Sequence, residues 1–297
     1  MPTTGELAGS VMSLWRYPVK SMQGEEIAVT PIAERGILGD RAYAILDRET
    51  GHIASAKHPR KWNKLFACRA AFVAEPQPGA PLPAITITLP DGRVVSSAEP
   101  NIDQVLSQVF DRDVALVTTL AASPTREADR TPIDGGLEQE LIRAEPMAIA
   151  SPSGTFFDYA PVHVLTTATI SRLQALFPAG RFDVRRFRPN IVIAPPDEAQ
   201  GFVENDWLGR SVVVGADAAP RLDLIDPSPR CVVTTLAQDD LPRDPGILRT
   251  ITQHNAAASV TAAPGVVFPA VAGAYAAVRR DGIIRRGDPI FLLDHGA

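Results

Sequence analysis

The sequence has little cysteine, and this scarcity excludes several kinds of site. Its 297 residues include only two cysteines, Cys68 and Cys231. A cysteine-held iron–sulfur cluster and a four-cysteine zinc site each need four thiolates, so this chain alone builds neither. A disulfide framework is equally unsupported, and we therefore expect a reducing compartment, the cytosol.

Targeting and membrane signals are also missing. The amino terminus has no basic-then-apolar run that ends at a small-residue cleavage site, so no secretory signal is expected. The longest apolar stretch, from Gly265 to Val278, is too short for a bilayer and is interrupted by Pro269. We therefore expect a cytoplasmic protein that has no membrane partner.

Positive charge is in short supply as well. The 29 Lys and Arg residues are outnumbered by 34 Asp and Glu residues, and the net charge of −5 offers no basic field for a nucleic-acid partner. Lysine is confined to the first quarter of the chain, at Lys20, Lys57, Lys61 and Lys64. Schiff-base chemistry is thereby restricted to the amino-terminal part.

Several familiar catalytic signatures do not occur. The five histidines show neither HxH nor HExxH spacing, which disfavours a histidine metal site. No GxGxxG opens a helix, and GxxxxGK followed by Ser or Thr is absent, so no nucleotide cradle is supported. The nucleophile elbow GxSxG is absent too.

Proline, by contrast, is abundant, and its 27 residues divide the chain into short segments. Runs rich in Val, Ile, Thr and aromatics predict strands at Ser10–Val19, Glu25–Ile32, Ala42–Arg48, Cys68–Glu75, Ala84–Leu89, Arg93–Ser97, Asn190–Ala194, Ser211–Gly215, Arg221–Ile225, Cys231–Leu236, Ala272–Val278 and Pro289–Leu293. Apolar periodicity predicts short helices at Asn101–Phe110, Thr167–Phe177 and Pro245–His254.

These elements predict an α+β fold that is mainly β with a few short helices. We expect two β-barrel-like domains with a cleft between them, residues 1–120 and residues 121–297. Residues 121–150 show no sustained apolar period and are predicted to be a loop or linker.

Two stretches of the first domain together form a candidate anion site. Tyr17-Pro-Val-Lys-Ser21 places a cation and a hydroxyl at a turn, and Gly36-Ile-Leu-Gly-Asp-Arg41 adds a glycine turn and a guanidinium fork. The alternative interpretation is a plain β-turn with solvated charges.

A second candidate anion site is the stretch Arg181-Phe-Asp-Val-Arg-Arg-Phe-Arg-Pro-Asn190, which has four arginines in a net-acidic protein. If it forms a strand, Arg186 and Arg188 face one side. The alternative is a solvated basic edge strand that guards against aggregation.

The third stretch, Pro227-Ser-Pro-Arg-Cys231-Val-Val-Thr-Thr, sets a cysteine directly after an arginine at the mouth of an apolar segment. A neighbouring positive charge favours the thiolate, although a buried inert cysteine is the commoner case. For Cys68, within an apolar run, only the inert interpretation applies.

In this order and at this spacing, these stretches resemble the MOSC family over almost the whole chain. The first half resembles the MOSC N-terminal β-barrel domain through Tyr17–Ser21 and Gly39-Asp-Arg41. The second half resembles the MOSC domain itself through Phe157-Asp-Tyr-Ala-Pro161, Leu165-Thr-Thr-Ala-Thr169, Arg186-Phe-Arg-Pro-Asn190, Glu204-Asn-Asp-Trp207, Gly209, Arg230-Cys231 and Gly287-Asp288.

The resemblance implies a molybdenum-cofactor protein similar to the mitochondrial amidoxime-reducing component and its bacterial relatives. It implies that the pterin lies between the two domains and that the Cys231 thiolate ligates molybdenum. Asp158 is implied as a proton donor or a structural partner, and the donor role needs a raised pKa. The implied phosphate and pterin contacts are Lys20, Ser21, Arg41, Thr166, Thr167, Arg188 and Asn190.

Three functions are compatible with these residues. The leading hypothesis is an oxidoreductase that reduces small N-hydroxylated substrates. The second is a sulfur carrier or cofactor-handling protein that holds a persulfide on Cys231, and the third is a module that stores or delivers the cofactor. Since the chain has no cluster cysteines, electrons are expected to come from a separate redox protein.

Overall fold

The computed structural model describes residues 5–118, 124–129, 141–216 and 219–293. Over these residues the protein is mainly β, with twenty strands and four α helices. The prediction of a mainly β fold with a few short helices is therefore confirmed. None of the α helices in the described ranges combines the length and the apolar composition required to cross a membrane.

The strands and helices follow one another in short steps, as the proline content predicts. The first half contains β1 (Gly5–Arg16), β2 (Glu25–Ile27), β3 (Val29–Ala33), β4 (Gly36–Ile37), β5 (Ala44–Asp47), β6 (Arg69–Phe72), β7 (Ile85–Thr88), β8 (Val94–Ser96), α1 (Ile102–Phe110) and β9 (Val114–Val117). The second half contains β10 (Thr125–Asp129), β11 (Ile142–Pro146), β12 (Val162–Thr166), α2 (Thr167–Leu176), α3 (Val184–Phe187), β13 (Ile191–Ala194), β14 (Ser211–Val214), β15 (Arg221–Pro229), α4 (Pro245–His254), β16 (Ala257–Ala258), β17 (Val267–Phe268), β18 (Val271–Arg280), β19 (Gly282–Arg285) and β20 (Pro289–Leu293).

Seven strands close into a barrel in the order β13-β12-β18-β15-β14-β20-β1, and β1 completes the circle by pairing with β13. The barrel core consists of side chains such as Leu14, Leu222 and Ile290, which are wholly buried. Since β1 comes from the first half of the chain and the other six strands from the second, the two halves share this core. The segment that begins at Tyr17 thus leaves directly from a barrel strand.

The rest of the first half forms smaller sheets around a second core. Strands β6, β7 and β8 make one sheet, and β5 pairs with β9. Helix α1 packs Leu106 and Phe110 into a cluster with Trp62 and Leu65, because its apolar residues recur at helical spacing. Tyr43, which packs on this second core, follows the turn at Arg41, and its amide donates to the carbonyl of Pro18 just after β1. The predicted domain division at residue 120 stays a prediction.

The prediction that residues 121–150 are a loop or linker is wrong for Thr125–Asp129 and Ile142–Pro146, which are strands. Strands β10 and β11 pair as an antiparallel hairpin over five residues each. Their sequence lacks a clean apolar alternation because both strands carry charged side chains that pair across the hairpin and with the first half, as Arg126 does with Glu145 at 3.0 Å. Residues 121–123 and 130–140 of this prediction lie outside the described residues.

Two further stretches differ from the geometry considered in the sequence, namely the arginine-rich stretch, which was weighed as a strand, and the predicted strand Cys231–Leu236. The arginine-rich stretch forms the short helix α3, since the side chain of Asp183 accepts a hydrogen bond from the Arg185 amide at its start. The predicted strand Cys231–Leu236 is instead a 3₁₀ turn over Val232–Thr235. The hydroxyls of Thr234 and Thr235 donate to the carbonyls of Cys231 and Val232, and these local bonds compete with a strand.

Gly9→Ala is expected to destabilise the protein by opening the barrel seam. The residue has φ 138°, and an added Cβ would lie 2.1 Å from the carbonyl oxygen of Ala194, at the end of β13. Strain and overpacking of this kind each cost about 1–3 kcal/mol. Urea unfolding should show that loss, whereas the control Gly92→Ala, which meets open space, should lose only the strain contribution. Equal losses for both variants would contradict this account.

Candidate functional site

A cleft between the two halves of the chain gathers most of the residues singled out in the sequence. Seven of the nine predicted site residues line it, namely Lys20, Ser21, Arg41, Asp158, Arg188, Asn190 and Cys231. The first three follow β1 and β4, and the last four come from the second half. The cleft is therefore built jointly, as expected for a shared anionic site.

Three of these residues adopt a backbone conformation that side chains other than glycine rarely take. Ser21, Arg41 and Arg188 have φ values of 65°, 46° and 56°. Such strain costs about 1–3 kcal/mol per residue and persists only where the surroundings enforce it. Arg188 takes this conformation as the residue that ends α3, and the turn aims its side chain away from the helix into the cleft. Strain at three residues of one cleft points to function.

Two guanidinium groups share one aromatic ring in the cleft. The Cζ atoms of Arg41 and Arg188 lie 4.7 Å and 4.2 Å from the centre of the Tyr17 ring. Desolvation and the charge of Arg41 lower the pKa of Arg188 to about 10, so it remains a cation at neutral pH. Among the described residues no carboxylate forms an ion pair with Arg188, whose Nη1 donates to the Met22 carbonyl at 2.6 Å. The pair therefore favours an anion.

Asp40 and Asn190 hold Arg41 and Tyr17 in position through hydrogen bonds and an ion pair. Asp40 accepts hydrogen bonds from the Tyr17 amide at 2.7 Å and from Nδ2 of Asn190 at 2.9 Å, and it pairs with Arg41. The Oδ1 atom of Asn190 accepts from Arg41 Nη1 at 3.3 Å and from the His163 amide at 3.1 Å. Asn190 thus orients Arg41 and joins the barrel to the first half.

Asp158 has the opposite electrostatics to those that a proton donor needs. Its carboxylate lies 2.5 Å from Lys20 Nζ, 3.1 Å from Lys57 Nζ and 3.4 Å from Arg126 Nη1. These cations, Lys20 foremost, outweigh desolvation and hold the pKa of Asp158 well below its usual range. The donor role suggested from the sequence required a raised pKa, so the structure supports the other suggested role, that of a structural partner for the two lysines.

The two cysteines differ as their sequence contexts predicted. Cys231 is a half-buried free thiol that lines the cleft at the start of the 3₁₀ turn. Cys68 is fully buried directly before β6, and burial raises the pKa of its thiol to about 12. A thiol of that kind is inert at neutral pH. Next to Cys231, Arg230 donates to the Phe187 carbonyl at 2.6 Å, while its buried Nε has no hydrogen-bond partner among the described residues.

Thr166 and Thr167, predicted as cofactor contacts, do not line this cleft. Thr166 is wholly buried as the residue that caps α2, and its hydroxyl donates to the carboxylate of Glu204 at 2.7 Å. Thr167 faces a separate surface pocket beside Pro195. The reason for Thr166 is that it ends β12 as the cap of α2, where its hydroxyl also accepts a hydrogen bond from the Thr169 amide.

The charges of the cleft fit an anionic group, and its single thiol fits a soft metal. Lys20, Arg41, Arg188 and Arg230 all line the cleft and supply positive charge to it. Within the described residues no cluster of three or more His, Cys, Asp or Glu could hold a metal ion. A metal in this cleft would thus have one protein thiolate, Cys231, and further ligands from a bound group.

Family models match both parts of the chain that build the cleft. The model of the MOSC domain matches residues 152–291, and that of the MOSC N-terminal beta barrel domain matches residues 8–71. The chain belongs to the MOSC family. The matched ranges contain all seven cleft residues named above, and the MOSC resemblance found in the sequence is confirmed.

Individual relatives of this MOSC protein are distant. Mitochondrial amidoxime reducing component 2 of Rattus norvegicus is 22% identical, over 96% of this chain and 83% of its own length. The crystal structure of the YUAD protein from Bacillus subtilis is similar with a TM-score of 0.44 and 9% identity, covering 96% of this chain and 94% of that one. YiiM from Geobacillus stearothermophilus gives 0.31 and 17%, covering 59% and 75%.

Sequence reasoning missed three residues of the MOSC cleft. Lys57 holds the second oxygen of Asp158, and the confinement of lysine to the first quarter of the chain was a signal for it. His163 lies buried between the carbonyls of Arg188 and Ala272, where desolvation and Arg230 keep its pKa well below the usual range. Tyr275 lines the cleft from β18, and no local pattern marks it.

Asp158→Asn is expected to destabilise the protein in a pH-dependent manner. The change leaves the buried Lys20 ammonium without its anion, and losing a hydrogen bond to a charged group costs about 1.5–3 kcal/mol. Desolvation lowers the pKa of Lys20 to about 7 in the native protein, so the lysine is charged below that pH and neutral above it. The loss should therefore be larger at about pH 6 than at about pH 8.5 in urea unfolding.

The matched control is Asp240→Asn, which removes ion pairs of an exposed carboxylate with Arg181 and Arg185 at a position that does not line the cleft. Since such surface pairs contribute about 0–1 kcal/mol, this variant should stay near wild type at both pH values. An Asp158→Asn loss that does not change with pH would rule out the role given to Lys20.

Proposed function

We propose that this MOSC protein binds the molybdenum cofactor in its interdomain cleft and reduces small N-hydroxylated compounds there. The observation that carries the proposal is the meeting of one free thiol, Cys231, with the cations Lys20, Arg41 and Arg188 in one cleft. Membership of the MOSC family and the distant similarity to an amidoxime reducing component support the same activity.

The residues divide into a phosphate side and a metal side. Lys20, Arg41 and Arg188 would hold the anionic phosphate and pterin, because guanidinium forks and an ammonium supply several charge-assisted donors. Cys231 would hold molybdenum through its thiolate, which suits a soft metal better than a carboxylate does. When bound, the cofactor supplies two-electron chemistry that removes the oxygen atom of the N–O group.

Asp158 would serve that chemistry without giving up a proton. Its low pKa keeps it ionised at working pH, so it holds Lys20 and Lys57 in position at the cleft wall. Reduction of the N–OH group to N–H and water takes two electrons and two protons, and both protons would come from other groups or from water. This assignment predicts that the acid limb of a pH–rate profile does not report Asp158.

A sulfur carrier is the main competing function. A carrier thiol must reach the sulfur donor of a partner enzyme, whereas a metal ligand stays fixed in a pocket. Cys231 is half-buried and followed by a hydrogen-bonded turn, and this favours the ligand. Electrons for the reductase would come from a separate redox protein.

The test begins with metal and pterin analysis of the full chain purified from a host that makes the cofactor. We expect molybdenum and acid-released pterin in equal amounts, and reduction of hydroxylamines or amidoximes with reduced viologen as donor. If the molybdenum-loaded protein reduces no member of a broad panel of N-hydroxylated compounds, the proposed reductase activity is wrong. Uptake of labelled sulfur from a desulfurase at Cys231 would then favour the carrier.

A further inference from the structure

A completely buried arginine lies behind the cleft, on the short helix α3. Arg186 is 0% exposed and uses its guanidinium to donate to four backbone carbonyls. Its Nε bonds the Arg181 oxygen at 2.8 Å, and its Nη2 bonds the Pro242 oxygen at 2.8 Å. Its Nη1 reaches the oxygens of Thr234 and Leu236, each at 3.2 Å.

This arrangement is costly and specific. Burial lowers the pKa of Arg186, and the charges of Asp244 and Asp183 offset this desolvation only in part, since neither forms an ion pair with Arg186 within the described residues. A buried charge is tolerated only where hydrogen bonds satisfy it. Here the hydrogen bonds go to backbone carbonyls, so the guanidinium organises the main chain rather than an anion. Its sequence neighbour Arg188 faces the cleft instead, which separates the two arginines that a strand would have placed side by side.

Three of the four carbonyls belong to one segment, the twelve residues 231–242. The segment starts at Cys231, forms the 3₁₀ turn over Val232–Thr235 and continues irregularly to Pro242. Apart from that turn it has no helix or strand of its own to hold it, and one isolated bridge joins Gln238 to Leu241. Arg69, Arg181 and Arg185 pair with Asp239 and Asp240 at the surface of the segment, and the guanidinium of Arg186 is the buried group that binds its carbonyls on both sides of these aspartates.

We propose that Arg186 is a positioning residue that fixes the Cys231 thiol in the cleft by holding the carbonyls of the segment behind it. The proposal rests on the proposed function in one respect: fixing the Cys231 thiol matters because a metal ligand must stay in place. The hydrogen bonds between Arg186 and the segment exist without any cofactor. Lysine cannot replace the arginine fully, because an ammonium has three donors around one nitrogen and no planar fork.

The experiment measures the alkylation rate of Cys231 by iodoacetamide, read by peptide mass spectrometry so that Cys68 is scored separately. The full chain is produced in a host that lacks the cofactor, so the thiol is uncapped. We expect Arg186→Lys and Arg186→Gln to alkylate about tenfold faster or more, since unmade bonds to buried carbonyls shift the opening equilibrium by that order. In a cofactor-making host both variants should retain less molybdenum.

Two controls separate positioning from general loosening. Arg279→Lys changes an arginine outside the segment, which makes a partly exposed ion pair with Asp223 on the barrel, and it should alkylate at the wild-type rate. Leu106→Val destabilises the core of the first half, remote from the segment, and it should leave the Cys231 rate unchanged at a comparable loss of stability. A wild-type rate in Arg186→Lys, or equal acceleration in Leu106→Val, overturns the proposal.

A measurement on the wild-type chain covers the case in which no Arg186 variant folds. Hydrogen exchange should show the amides of Thr234 and Leu236 protected like those of the barrel strands, although they lie in a turn and an irregular segment. Exchange as fast as that of exposed loops would also overturn the proposal. Neither the alkylation rate nor the hydrogen exchange requires molybdenum. Both measurements therefore test the role of Arg186 even if the proposed reductase activity is wrong.

Discussion

Cys231→Ser is expected to abolish reduction of N-hydroxylated compounds and to remove most of the molybdenum, while thermal unfolding stays near that of wild type. The substitution replaces sulfur by oxygen at a half-buried position that lines the cleft. Serine stays protonated at neutral pH and is a poor ligand for a soft metal, so the only protein thiolate of the cleft is lost. The pterin should remain in large part, because Lys20, Arg41 and Arg188 are unchanged. Metal analysis, pterin fluorescence and viologen-driven turnover report these three quantities.

The control for this variant is Cys68→Ala. The Cys68 thiol is fully buried and its raised pKa keeps it protonated, so its removal should affect packing but not the cleft. Molybdenum content and turnover should stay near wild type after correction for any loss of stability. Loss of all molybdenum in Cys68→Ala, with retention in Cys231→Ser, would show that the other cysteine is the ligand.

Arg188→Ala is expected to weaken cofactor retention by roughly ten- to a hundred-fold, because a charge-assisted donor contributes about 1.5–3 kcal/mol. The stability of the empty protein should change far less. Removing this guanidinium loses its bond to the Met22 carbonyl, but it also relieves the repulsion from Arg41 across the Tyr17 ring. Dialysis of loaded protein followed by metal analysis measures retention, and urea unfolding of the empty protein measures stability.

The matched control is Arg185→Ala, on the same short helix. Arg185 pairs with Asp183 and Asp240 away from the cleft, so its removal should leave retention unchanged. If the two variants retain the cofactor equally well, the anion site does not include Arg188. If both lose it equally, the effect comes from disruption of α3.

The residues that meet in the cleft were largely predictable because their chemistry is encoded in short motifs. Lys20, Ser21 and Arg41 follow strands in turns rich in glycine and proline, and Cys231 follows an arginine at the end of a β segment. Motifs of this kind survive without tertiary information. The regular strands and the helices α1, α2 and α4 were predictable for the same reason, since their apolar periods are clear.

The errors occurred where local periodicity was too short to decide. Four residues of α3 are compatible with a strand as well as with a helical turn, and only the Asp183 cap and the burial of Arg186 select the helix. Thr166 was expected in the cleft, but the buried carboxylate of Glu204, far away in sequence, takes its hydroxyl. The pKa of Asp158 could not be predicted either, because Lys20, Lys57 and Arg126 reach it from three distant segments.

The amino-acid order was enough to indicate the kind of chemistry, because the chain is net-acidic, has two cysteines and no histidine metal motif, and carries cations and one thiol in the order of the MOSC family. The tertiary structure alone decided which of these groups act together. Closure of the barrel by β1 brings Lys20 beside Asp158, and the left-handed turns at Arg41 and Arg188 aim both guanidiniums at one ring. Composition and spacing set the functional groups, whereas their charges and directions depend on neighbours that only the folded chain supplies.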